Sequence, residues 1–273
     1  MLTLFTCVMP FSGQTGIIQR NAIKSWTLLE PSCEILLFGD GPGIEEAASS
    51  LGVRHIKGVA CNEYGTPLVN DIFNKAETLA SNGLLCYINS HIILVDDFIK
   101  ALRQAHSWSA NFIMISRRWD ADIGQPMEFP PGWEDDLLSR RQRHDLYAIE
   151  YFVFPKGIWP EIPPFAVGRP WYDWWFLRKA RDMYVPVVDA SKVVLIIHQQ
   201  HGYSHVRESR DPVYGYKHAV RNTPEAKENL RLSGFTERTR VTLNDADYEL
   251  GRNGVRLKFA ERIRRACTGL LYQ

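Results

Sequence analysis

From Leu2 to Ser116 the chain alternates short apolar runs with stretches of helical periodicity, and this alternation limits the fold more than any other feature. Leu2 to Met9 reads as a buried strand, and Ile17 to Leu29 carries Ile18, Ala22, Trp26 and Leu29 at helical spacing. Glu34 to Phe38 predicts a second strand, Ile44 to Leu51 a helix, Val53 to Val59 a third strand and Leu68 to Ala80 a further helix. Leu84 to Ile88 is again strand-like, Phe98 to Ser107 helical and Asn111 to Ser116 strand-like. Continuously apolar strands are buried on both faces, so the pattern predicts the α/β class: a mostly parallel sheet with helices on both faces. Ligands of such sheets sit outside the carboxyl ends of the strands.

The character changes after Trp119. Residues Asp120 to Asp145 are rich in Pro, Gly and charge, which predicts a long excursion from the sheet, functional or mobile. Regular structure resumes at Ile149 to Pro155, continues in a helix from about Trp171 to Asp182, and ends in strands at Val185 to Val188 and Val193 to Ile197. Beyond about Arg207 the packing signals weaken. The expected organisation is one large domain over residues 1–206, in halves 1–119 and 120–206, followed by a helical or irregular appendage over 207–273.

Charge removes one class of function. Thirty-two Lys and Arg against thirty-one Asp and Glu leave a net charge of +1, too little for the basic field of a nucleic-acid-binding protein. The five cysteines are scattered without a CxxC pair and read as reduced residues of a cytoplasmic protein. No apolar stretch approaches the ~20 residues of a membrane span. In Gly251 to Gln273, six basic residues oppose one acid, and Phe259, Ile263, Ala266 and Leu270 share a helical face. Such a helix suits peripheral contact with an anionic membrane, although docking onto the main domain explains it as simply. Neither a GxGxxG turn nor a Walker sequence occurs, and Ser204 among His198, His201 and His205 lacks the Gly-x-Ser-x-Gly elbow of a hydrolase.

The strand Leu84 to Ile88 opens onto Asn89-Ser90-His91, followed by the apolar Ile92-Ile93-Leu94. A polar triplet between two apolar runs is how the end of a buried strand delivers metal or phosphate ligands into a crevice. Together with the element order, this resembles the GT-A fold of nucleotide-sugar glycosyltransferases, close to the family-2-like group, over roughly residues 1–205. In that fold the fourth strand ends in an Asp-x-Asp motif that holds a divalent metal against the sugar-nucleotide diphosphate. Here an amide, Asn89, occupies the first position and an imidazole, His91, the last. The polypeptide N-acetylgalactosaminyltransferases, with Asp-Ser-His there and a later histidine in the metal shell, are similar in this respect, and the resemblance makes His198 that later ligand. The plainer alternative for His91 is a hydrogen-bonded histidine at a strand end.

What the resemblance implies is a transferase, hexosyl or N-acetylhexosaminyl, acting on a nucleotide-diphosphate sugar with Mn²⁺ or Mg²⁺. Asn89, Ser90 and His91 would face the diphosphate, and Asn89, His91 and His198 would hold the metal. Asp40, at the exit of the second strand, corresponds to the acid that accepts the imide hydrogen of uracil, which favours a UDP-sugar; a Gly-Asp-Gly-Pro turn explains Asp40 equally well. Asp173, in Arg169-Pro170-Trp171-Tyr172-Asp173, corresponds to the acidic residue near the acceptor and would be the general base of an inverting reaction, with Glu150 in reserve. The alternative for Asp173 is a charge at a helix N-terminus. The stereochemistry stays open, because the histidine-bearing triplet resembles a retaining group. The acceptor is a glycan or another hydroxyl compound. Asn89 in place of a carboxylate also supports a rival reading, a GT-A-like domain that binds nucleotide or carbohydrate without turnover.

Overall fold

A computed structural model describes residues 1–143, 146, 148–199 and 220–258. His201, Ser204, His205 and the amphipathic positions Phe259, Ile263, Ala266 and Leu270 lie outside the described residues.

The strands of the first half are β1 (Leu2–Cys7), β2 (Glu34–Phe38), β3 (Arg54–Ile56), β4 (Leu84–Ile88), β5 (Ile92–Leu94) and β6 (Ile113–Ile115). Between them run helices α1 (Gly13–Thr27), α2 (Ile44–Leu51), α3 (Val69–Leu79) and α4 (Asp97–Trp108). The second half holds β7 (Arg118–Ala121), α5 (Trp133–Arg140), β8 (Gln142–Arg143), β9 (Tyr151–Pro155), α6 (Tyr172–Asp182), β10 (Val187–Asp189) and β11 (Ile196–Gln199). Helix α7 (Pro224–Ser233) and strands β12 (Tyr248–Gly251) and β13 (Gly254–Leu257) follow. Among the described residues nine strands form a large sheet in the order β13-β12-β10-β6-β9-β4-β1-β2-β3, and β5-β11-β7-β8 form a small one. The large sheet is mostly parallel; β9 runs antiparallel between β4 and β6, and β13 closes a hairpin at the edge.

The period of two along each buried strand sorts the core into two layers. Leu2 and Leu4 of β1, Leu84, Cys86 and Ile88 of β4, and Tyr151 and Val153 of β9 pack under α1 and α4 with Trp26 and Phe98. Phe5, Leu85, Tyr87, Phe152 and Phe154, the alternate positions, pack under α3 and α6 with Phe73 and Phe176. Both faces are therefore covered by helices. The Phe73 ring stacks on Phe154 at 5.6 Å and on Phe176 at 4.7 Å, so one residue of α3 joins the sheet to α6.

Three expectations change on contact with the structure. The strand expected over Val193 to Ile197 is displaced to Ile196–Gln199, so His198 lies within a strand rather than beyond its end. The excursion after Trp119 is partly ordered: β7 and β8 belong to the small sheet and α5 packs Leu137 against it. Residues 220–258, grouped by composition with the appendage, add β12 to the large sheet in parallel with β10. Tertiary pairing outweighs their weak local signal. Among the described residues no helix is long and apolar enough to cross a membrane. Of the cysteines, Cys86 is buried, Cys7 and Cys33 are half-buried and Cys61 is exposed, all four as free thiols.

Candidate active site

The triplet lies where the two sheets part. β4 ends at Ile88, and the Asn89 amide donates to the Glu150 carbonyl at 3.0 Å, holding the triplet against the entry to β9. Ile92 N donates back to Asn89 O at 3.1 Å, closing a turn that sends β5 into the small sheet. β5 pairs antiparallel with β11, with Ile92 opposite His198, and Gln199 N donates to His91 O at 3.4 Å. These pairings bring the His91 and His198 rings edge to face, with centroids 4.6 Å apart and planes at 86°.

β7 supplies two residues that the sequence reading did not single out. It pairs in parallel with β11, setting Asp120 beside His198. Trp119 and Ala121 point to the apolar side of the small sheet with Ile93 and Ile197, which leaves Arg118 and Asp120 to face the histidines. The Arg118 guanidinium donates to Glu150 Oε1 through Nη1, and its Nε lies 3.1 Å from Asp120 Oδ1. That same oxygen is 3.1 Å from His198 Nδ1. Glu150 Oε2 accepts from Asn89 Nδ2 at 2.7 Å and is 3.6 Å from His91 Nε2. The signal for Arg118 and Asp120 was present in Arg118-Trp119-Asp120-Ala121, charged residues alternating with apolar ones, at the entrance to a segment that composition marks as loop.

Burial decides the protonation of this cluster. Glu150 and His198 are 5% and 3% exposed. Burial alone would raise the Glu150 carboxyl, but the charge of Arg118 holds it well below the ordinary carboxylate range. Burial lowers both His91 and His198, against the pull of Glu150 on the first and of Asp120 on the second. Both rings are neutral at pH 7, the state in which imidazole binds a metal.

Ser90 donates to Gln19 Oε1 at 3.1 Å, and Gln19 is itself fixed on both sides by the Met9 backbone. Ser90 thus ties the triplet to α1. Asp40 accepts from Gly58 N at 2.8 Å and Val59 N at 3.0 Å; these bonds lower its carboxyl and lace the end of β2 to the segment after β3. A carboxylate accepts about four hydrogen bonds, so capacity for a further donor remains.

Asp173 sits in the first turn of α6, the helix on the opposite face of the large sheet from α1. Its helix starts from Trp171 at φ 88°, a left-handed conformation costly for a bulky side chain, and Arg221 lies over the Trp171 ring at 5.2 Å. The Asp173 carboxyl is raised to about 7, chiefly by burial and further by the charge of Glu150, against backbone N–H groups that favour the anion. The structure therefore groups Asn89, His91, Glu150 and His198, couples Asp173 electrostatically to Glu150, and places Asp40 at the end of β2, one strand removed from β4.

Two neutral imidazoles and an amide are borderline-to-hard donors that suit Mn²⁺ and related ions. Among the described residues no three His, Cys, Asp or Glu side chains converge as a complete ligand set. An ion here would take a minority of its ligands from the protein and the rest from substrate phosphates and water, as ions in phosphoryl sites do.

No protein-family model and no curated protein matches the chain. Solved structures do. A structure of GalNAc-T7 with UDP, GalNAc and Mn²⁺ superposes with a TM-score of 0.55 at 13% identity over 85% of this chain, which spans about half of that one, 48%. Glucosyl-3-phosphoglycerate synthase from Mycobacterium tuberculosis superposes with a TM-score of 0.50 at 13% identity, covering 89% of this chain and 86% of that one. The architecture is the GT-A fold.

Proposed function

We propose that this protein is a glycosyltransferase that moves a sugar from a nucleotide-diphosphate sugar, a UDP-sugar by preference, onto a hydroxyl acceptor with help from Mn²⁺ or Mg²⁺. The observation that carries this reading is the meeting of His91 and His198 at 4.6 Å, at the carboxyl end of β4 in a GT-A fold. The structure of GalNAc-T7 with UDP and Mn²⁺ supports the choice of nucleotide and ion.

His91, His198 and the amide oxygen of Asn89 would hold the ion, which supplies positive charge beside the diphosphate as its bond to the anomeric carbon breaks. Asp40 would accept the imide N–H of the base. In an inverting reaction Asp173 would take the acceptor's hydroxyl proton; a carboxyl raised to about 7 matches a general base working near neutrality. Glu150 is the weaker candidate for that role, because Arg118 and Asn89 engage both of its oxygens and hold it ionised. A second reading, a nucleotide-binding domain without turnover, draws on Asn89, whose amide replaces a carboxylate and donates to Glu150.

The test is thermal stabilisation by UDP-, GDP-, ADP- and CMP-sugars with and without Mn²⁺, on the wild type and on His91→Ala. A ligand that binds only the folded state raises the melting temperature, by about 2.7 kcal/mol of stability at a hundred times its Kd. A Mn²⁺-dependent shift confined to UDP-sugars and lost in His91→Ala is the expected result; no shift with any nucleotide sinks the donor site. Slow release of UDP from the preferred donor separates the enzyme from the binding domain.

A further inference from the structure

We infer that Arg118 is a positioning residue: its guanidinium bridges the two carboxylates, Asp120 and Glu150, that orient the imidazoles of His198 and His91. The inference rests on the metal-assisted reading above and adds to it the residues that would set which ring nitrogen faces the ion.

Asp120 comes from the small sheet, and Glu150 from the entry to β9 in the large one. A buried carboxylate, Glu150, and a partly buried one, Asp120, beside the same group are costly without a cation. Arg118 provides it, with Nη1 donating to Glu150 and Nε at ion-pair distance from Asp120, 3.1 Å. Each carboxylate then lies beside one ring nitrogen at ion-pair rather than hydrogen-bond geometry: Glu150 Oε2 is 3.6 Å from His91 Nε2, and Asp120 Oδ1 is 3.1 Å from His198 Nδ1. A carboxylate beside one imidazole nitrogen keeps the proton there and turns the other nitrogen into the metal donor. His91 accordingly presents Nδ1 and His198 presents Nε2. Glu150 acts on the third donor as well, since accepting from Asn89 Nδ2 at 2.7 Å leaves the amide oxygen turned away from it. One arginine thereby sets the orientation of every protein group proposed to hold the ion.

The tautomers can be read directly from the histidine ring ¹⁵N–¹H NMR spectrum of the metal-free protein, and Mn²⁺ affinity from electron paramagnetic resonance with UDP present. The expected wild-type spectrum has His91 protonated on Nε2 and His198 on Nδ1, assigned with His91→Ala and His198→Ala. Arg118→Met is expected to give mixed tautomers and a Mn²⁺ affinity about 10–100-fold weaker, the usual cost of losing groups that orient metal ligands. Arg118→Lys should recover only part of this. Asp120→Asn, which keeps the shape, should change the tautomer of His198 and leave that of His91. If Arg118→Met keeps both wild-type tautomers and full affinity, or if Asp120→Asn leaves His198 unchanged, the positioning role is wrong. Should the wild type show the assigned tautomers yet bind no Mn²⁺, the metal-assisted reading fails while the orienting network stands.

Discussion

At the scale of single residues, the carboxyl of Asp173 is the sharpest handle on the chemistry, because burial gives it a titration that solution carboxylates lack. Raised to about 7, it is protonated in mildly acid solution and ionised above neutrality. A general base works only when ionised, so kcat/KM is expected to rise with pH up to about 7 and then level off. Asp173→Asn should lower kcat by about 10²–10⁴-fold while donor-dependent stabilisation persists. The same group has a stability signature of opposite direction. The unfolded chain ionises this carboxyl near 3.8 whereas the folded protein holds the proton to about 7, so stability falls relative to Asp173→Asn as pH rises between those values and is level beyond them. Unfolding curves of the two proteins at pH 4, 6 and 8 would check it; a constant gap would mean that Asp173 is solvated. Of this candidate site, Asn89 and His91 stand out in the sequence as a polar break between apolar runs, and Asp173 only through the resemblance of its segment. Arg118 and Asp120 do not, because what gives them meaning is the pairing of β7 with β11, a contact between segments far apart in the chain.

At the scale of elements, legibility follows how much of the signal is local. The spans of β2, α2 and β4 coincide with their apolar runs, and α3 and α4 differ from theirs by a residue or so at each end. All five carry their signal within their own residues, as an apolar run or as helical spacing. Helix α1 begins at Gly13, four residues before its apolar stripe, because Ser12 and Gly13 provide the entry turn without any hydrophobic marker. β11 is displaced from its apolar run because its register is set by β5 and β7 rather than by its own composition. The two-layer core that results makes a clear prediction at α3. Phe73 is 1% exposed and is stacked on both β9 and α6, so Phe73→Ala should cost about 3–5 kcal/mol in transfer and cavity terms. Urea unfolding monitored by circular dichroism would measure it. Tyr184→Ala, at a side chain 92% exposed, should leave the midpoint unchanged.

At the scale of the whole molecule, the segment that composition sets apart is built into both the sheet and the candidate site. β12 is the parallel neighbour of β10, and Lys258 pairs with Asp189 at 2.9 Å while Arg181 of α6 reaches Asp247 at 3.2 Å. Leu243 and Leu250 are fully buried, one in each layer of the core. Helix α7 secures the approach to α6: Asn229 accepts from Ala166 N at 2.8 Å and donates to the carbonyls of Ala166 at 3.0 Å and Pro170 at 3.1 Å, and Glu225 pairs with Arg169 at 2.8 Å. These bonds fix the chain immediately before Trp171, and hence the turn that carries Asp173. A chain ending at residue 206 would expose the edge of β10, strip apolar cover from both layers and leave the Ala166 amide without its acceptor. Each such buried, unpaired group costs about 1–3 kcal/mol, against a total stability of about 5–15 kcal/mol for a typical domain. The shortened chain is therefore expected to lose its cooperative thermal transition and any stabilisation by a UDP-sugar together. A truncated chain that still melted cooperatively and still responded to donor would instead make residues 207–273 the appendage their composition suggests, with Asp173 held by the first 206 residues alone.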